Sequence, residues 1–233
     1  MDEAIDEVTR LLQQLQDKVD ELTGKVNAVL AKVPGWLDWV VDRVLDGWDR
    51  LVEKLGEFWD WFTDKLSYAG DPGGLSDLAR RWTDEVGATT SAQTHEVDDG
   101  DLLVDDRWQG DAAEQYRQKV PEQKKTLEDV RGQYVTALAS ALNDMSAGIT
   151  AFWWGVAAAV VALIAGIAGA LTATGTIVGL PAAPVIAVGA VVVALVALGS
   201  TYAILRSQAS SAELSLRTAR SYGLTTWPSF AVS

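Results

Sequence analysis

Cysteine is absent from the 233-residue chain, histidine occurs once, at His95, and 19 Lys and Arg face 32 Asp and Glu. Without cysteine there are no disulfides, thiolate metal sites or thiol nucleophiles, and the redox compartment stays open. One histidine rules out a multi-histidine metal site. The formal net charge of −13 repels phosphate backbones, and no basic stripe appears, which argues against a nucleic-acid partner. Also missing are a Ser/His/Asp, Cys/His or paired-glutamate constellation and a glycine-rich phosphate loop between a strand and a helix. The sequence therefore predicts no enzyme, no cofactor and no metal. Its length suggests one or two domains.

Charge itself is missing from one long stretch. Asp144 and Arg206 are consecutive charged residues, so 61 residues, 145–205, carry none. Residues 1–150 hold 31 acidic and 16 basic side chains, whereas the tail from Arg206 holds three Arg and one Glu. An acidic, amphipathic part is thus joined to an apolar one. The opening MDEAIDEV has neither a basic n-region nor an early apolar run, which predicts no cleavable signal peptide.

The acidic part reads as helix. Ile5, Val8, Leu12, Leu15, Val19, Leu22, Val26, Val29 and Val33 alternate spacings of three and four, a heptad seam. Two readings stay open for it: an amphipathic helix packed within the chain, or a coiled coil with a helical partner or a second copy. Pro34-Gly35 ends the helix. The pattern resumes as Trp36, Val40, Val44, Trp48, Leu51, Leu55, Phe58, Phe62 and Leu66. Eight acids against four bases from Asp38 to Lys65 make this helix a poor ligand for anionic lipid. It suits packing on another helix or sheathing an apolar segment.

Tyr68 to Gly74 reads as a turn, and a further helix is expected from Ser76 as N-cap through Leu78, Trp82 and Val86. The acidic run Glu96 to Asp101 lacks the ligand spacing of an EF-hand. Beyond Gly110, Tyr116, Val120, Leu127, Val130, Tyr134, Leu138, Leu142 and Met145 mark another helix, in which Pro121 predicts a kink. Between these helices, Gly110 can take the backbone angles of a tight bend. Ala112 and Ala113 let two helices approach, Tyr116 returns to the buried face, and Trp108 is expected to plug the open end.

The pattern Asp106-x-Trp108-x-Gly110-x-Ala112-Ala113-x-x-Tyr116, with a helix on each side, resembles the WXG100, or ESAT-6-like, proteins of type VII secretion systems. The resemblance covers about a third of the chain. It implies a helical hairpin, pairing into an antiparallel bundle, and export without a cleavable signal peptide. The family's export motif has an acidic residue four positions after a Tyr. Here those positions hold Pro72, Val120, Leu138, Arg206 and Thr226, so a partner supplies the motif or the chain is not itself a cargo.

Phe152 to Leu171 and Val185 to Leu205 are each long enough, at about 1.5 Å per residue, to cross the roughly 30 Å of a bilayer core. Between them Thr172 to Pro184 breaks the helix without adding charge. The expected product is a hydrophobic hairpin with membrane lipid as its partner. Trp153, Trp154 and Tyr202 form its aromatic edge, and Arg206 is placed to snorkel. Small residues four apart, Ala162 with Gly166, Ala165 with Gly169 and Gly175 with Gly179, suit close helix packing in lipid. No ionisable group lies within the spans, so no proton or ion relay is expected. Arg206, Arg217 and Arg220 favour cytoplasmic termini in the producing cell, unless the protein inserts from outside.

The expected fold is all-α, with elongated helical hairpins or a bundle joined to a two-helix hydrophobic hairpin of transmembrane type. Four segments are expected: 1–70, amphipathic; 71–150, the WXG100-like hairpin; 151–206, the hydrophobic hairpin; and 207–233, a tail. Two functions fit. One is a membrane-acting export substrate, kept soluble while the helices of 4–66 and 75–145 sheath the hairpin and then inserting it, as an oligomeric pore or otherwise. The other is a resident membrane scaffold that recruits a secretion partner. A weaker third is a soluble chaperone-like partner whose hairpin is buried in a complex.

Overall fold

The computed structural model describes residues 2–66, 70–97 and 108–221. Asp106 of the bend motif, part of the predicted turn at Tyr68, residues 98–101 of the acidic run and the tail from Tyr222 lie outside the described residues. Among the described residues every regular element is helical. These are α1 (Asp2–Leu30), a 3-10 turn at Gly35–Leu37, α2 (Asp38–Leu66), α3 (Pro72–Arg81), a π-helical stretch Trp82–Gly87 and α4 (Ala88–Glu96). There follow α5 (Asp111–Asp129), a second π-helical stretch Val130–Val135, α6 (Thr136–Ala173) and α7 (Ala182–Ser221).

The chain divides into two units, residues 1–70 with 149–205, and residues 71–148 with 206–233. The hydrophobic hairpin therefore shares its unit with α1 and α2. The helices of 75–145, expected to sheath it as well, belong to the other unit. Both α6 and α7 contribute residues to each.

In the first unit α1 buries Ala4, Val8, Leu11, Leu15, Leu22 and Val26 and leaves Ile5, Leu12, Val19 and Val29 half-covered. Val8, Leu15, Leu22 and Val26 of the expected seam lie on the deepest line, while Ala4 and Leu11 are buried more deeply than the neighbouring seam residues Ile5 and Leu12. A helix in a globular core packs an apolar face at least 100° wide, whereas the heptad seam singles out a narrower stripe. Burial of this line within the chain itself favours the first of the two readings of α1. On the outer face Lys18 and Lys25 approach Glu21 at 2.7 and 2.9 Å. Their hydrogen bonds hold its carboxyl at about 2, well below the usual range.

Helix α2 separates its chemistry by side. Val40, Val44, Leu51, Leu55, Phe58 and Phe62 are buried. Asp38, Asp42, Asp46, Asp49, Glu53, Glu57, Asp60 and Asp64, again three or four apart, are all exposed. At 100° per residue this acidic stripe lies opposite the buried one.

The second unit is built on an antiparallel helix pair. Its first helix starts four residues before the expected Ser76. Asp71 caps it, accepting the Gly74 amide at 2.9 Å, and Pro72 occupies the first turn. Asp at the cap with Pro next to it favours that start, since Pro has no amide to lose there. Ser76 instead bonds Ser146 at 2.8 Å, and Ser146 donates to the Pro72 carbonyl at 2.7 Å. Further along, a side chain on Gly87 would meet Val135 at 3.3 Å, and Arg131 donates to Ser91 at 3.3 Å. Each step forward on one helix is matched by a step back on the other, a register centred on Asp111. Helix α5 runs through Pro121 without ending, at the loss of one amide from its ladder.

Candidate membrane-insertion hairpin

The 61 charge-free residues fold into the end of α6, a turn and most of α7. Two close approaches fix their pairing. A Cβ on Gly155 would lie 3.4 Å from Thr201 Cβ, and one on Gly166 only 2.2 Å from Ala190 Cβ. Both pairs centre on Val178, the exposed tip of the hairpin. Gly166 is thus where the two backbones come closest, while a Cβ on Gly169 would meet only Ile186 Cγ2, at 4.0 Å. Gly175 and Gly179 pack within the turn itself: Gly179 lies under the Ala173 carbonyl, with 2.6 Å left for a Cβ. The paired glycines invite a test. Gly166→Leu is expected to force the helices apart and cost about 1–3 kcal/mol. Gly169→Ala is expected to stabilise by about 0.5–1 kcal/mol through lower backbone entropy. Urea unfolding of the two variants measures both.

The hairpin ties off its own polar groups, as a segment entering hydrocarbon must. Thr172 donates to the Gly169 carbonyl and Thr174 to the Leu171 carbonyl, both at 2.7 Å. Thr176 accepts the Gly179 amide at 3.0 Å. Ser200 and Thr201 donate to the carbonyls of Val196 and Ala197, both at 2.9 Å.

Each helix has two faces. On α7, Ala183, Ala187, Val191, Ala194 and Leu198 are buried, while Val185, Val192 and Val196 are exposed along the other side. On α6, Val156, Val160, Leu163 and Ile167 are fully buried, while Trp154 and Val161 are about half exposed. The outward side of the pair is a continuous apolar surface. Monomeric soluble proteins rarely show one of this kind without a membrane or protein contact to fill it. The aromatic edge divides: Trp154 faces out, Tyr202 is partly exposed, and Trp153 is buried against Phe152, ring centroids 5.3 Å apart. Arg206 is exposed.

The inward side is met by α2. A Cβ on Gly47 would lie 3.0 Å from Pro184 Cβ, and Lys65 Nζ sits 4.5 Å from the centre of the Tyr202 ring. Eighteen residues separate the two contacts on either helix, so α2 and α7 run parallel and in register. Trp61 meets Phe152 of α6, centroids 6.4 Å apart. Asp49, Glu53, Glu57, Asp60 and Asp64 therefore accompany the span along its length. A carboxylate at mid-bilayer costs about 2.5–3.5 kcal/mol. Nothing in the heptad or hydropathy pattern signalled this register, because it depends on which helix α2 packs against.

The bend motif has a different geometry from the one expected. Gly110 adopts φ 111° and ψ 177° before α5, a conformation essentially restricted to glycine. Trp108 is 44% exposed and touches Tyr116, centroids 5.7 Å apart, so it is not a plug. Ala113 is buried, Ala112 exposed and Tyr116 half-buried. Gly110→Ala is accordingly expected to cost about 1–3 kcal/mol through strain. Trp108→Ala is expected to cost less than about 1.5 kcal/mol. Thermal melts that rank them the other way would contradict this geometry.

Beside the π-helical stretches a polar groove of about 880 Å³ runs between the paired helices, lined among others by Thr83, Ser91, His95, Arg131 and Asn143. The sequence carries no signal for these stretches, although such bulges are frequent at functional sites. No group of acidic or histidine side chains among the described residues is placed to hold a metal. Among the described residues two helices are long and apolar enough to cross a membrane, and no family model, curated protein or solved structure matches the chain.

Proposed function

We propose that this chain is a type VII secretion-associated, WXG100-like protein that acts by placing its charge-free helix pair in a bilayer, as a membrane-acting effector exported without a cleavable signal peptide. The observation that carries the membrane reading is the outward face of the hairpin. It is apolar from Trp154 to Val161 on α6 and from Val185 to Val196 on α7, and the hydroxyls beside it are bonded internally. The link to export is supported by the bend motif at Trp108 and Gly110, near the centre of an antiparallel helix pair. The partners are membrane lipid and a helical protein or a second copy, and no catalytic role is assigned.

A resident scaffold is the second reading, favoured by the polar groove beside His95 and Arg131, which offers a partner a surface on the helix pair. Fractionation of a producing culture separates the two. An effector is expected in the medium, and it is expected to float with phosphatidylcholine vesicles. A scaffold stays with the producer's membrane. Protein that remains soluble and never floats with vesicles would sink the membrane reading.

A further inference from the structure

We infer that α2 is a displaceable cover: the arrangement described above is a water-borne state, and the hairpin enters a bilayer only after α2 has parted from α7. This rests on the membrane reading of the hairpin. From Gly47 against Pro184 to Lys65 against Tyr202, α2 lies beside the stretch of α7 that has to cross. Over that length it carries Asp49, Glu53, Glu57, Asp60 and Asp64, all exposed. Carboxylates that need water and a span that needs lipid cannot keep one register in one bilayer.

The two faces of α7 make the exchange possible. Its line at Ala187, Val191, Ala194 and Leu198 is buried in this unit, while the line at Val185, Val192 and Val196 is open. Once uncovered, the helix is apolar all round, as lipid demands. Released α2 then has its own apolar line, Val44 to Phe62, to lay on an uncharged interface with its carboxylates in water.

The absence of cysteine makes a direct test clean. Gly47→Cys with Pro184→Cys places two Cβ atoms near the separation a disulfide takes and fastens the cover. Gly155→Cys with Thr201→Cys fastens α6 to α7 and leaves the cover free. The reading is the fraction of full-length protein that floats with phosphatidylcholine vesicles after an alkaline carbonate wash. Oxidation of the first pair is expected to lower that fraction about tenfold or more, reversibly on reduction. Oxidation of the second is expected to change it less than about twofold. An oxidised cover pair that inserts as well as its reduced form overturns the inference and leaves the membrane reading standing. A native chain that never floats removes both.

A second measurement needs no disulfide. Val44 is fully buried on α2, so the thiol of Val44→Cys is expected to react with a membrane-permeant maleimide, which can reach it at the interface, about tenfold faster or more once vesicles are added. An unchanged rate in protein that has inserted overturns the inference.

Discussion

Val196→Asp is expected to leave the protein folded in water and to lower its insertion into phosphatidylcholine vesicles by roughly a hundredfold. The two halves of that result have separate causes. Val196 is 66% exposed, so a carboxylate there is hydrated and unfolds nothing. Surface changes of this kind stay within about 0.5 kcal/mol. In the bilayer the same residue falls near the middle of the second span, where an aspartate costs about 2.5–3.5 kcal/mol. At about 1.4 kcal/mol per tenfold, that becomes roughly 70- to 400-fold. Far-ultraviolet circular dichroism and melting measure the first half, and carbonate-resistant flotation the second. Insertion unchanged by a mid-span charge would end the membrane reading, whatever the stability.

Phe58→Ala is expected to act in the opposite sense. Phe58 is fully buried in the first unit, with Phe62 and Trp59 at ring-centroid distances of 5.5 and 5.4 Å. Truncating it removes apolar burial and leaves a cavity that helices on several sides cannot collapse to fill. The expected loss is about 3–5 kcal/mol. In a chain of this size that lowers the melting temperature by roughly 10 °C. Because the residue sits on the cover, weaker packing in water is expected to speed insertion. Val196→Asp spares the fold and blocks insertion, whereas Phe58→Ala weakens the fold and favours insertion. A Phe58→Ala protein that is destabilised and inserts more slowly than the native chain would show that the packed cover assists entry.

Much of the helical content was legible because apolar residues recur every three or four positions from Ile5 to Phe62, and because 61 residues lack charge. Periodicity reports local geometry, and helices are local. The limits of elements were less legible. The first helix of the second unit begins at Pro72, since Asp71 and Pro72 cap it better than Ser76 does. The line of burial on α1 takes in Ala4 and Leu11 beside the seam, since the face packed in a globular core is wider than a heptad stripe. Trp108 and Gly110 exchange importance. The side chain that draws the eye is half in solvent, and the glycine holds a positive-φ backbone at the start of α5.

By itself the sequence determined that this protein is helical, that one part is acidic and amphipathic, and that another is fit for hydrocarbon. These follow from composition and spacing along a single strand of chain. Only the tertiary structure decided that α2 and α7 run parallel in one register, and that the outward face of the hairpin stays open. A helix that is apolar all round carries no mark of which side its neighbour will take. That choice is made by close approaches between residues far apart in the chain, Gly47 with the Pro184 ring and Gly166 with Ala190, where a missing side chain makes room for the neighbouring helix.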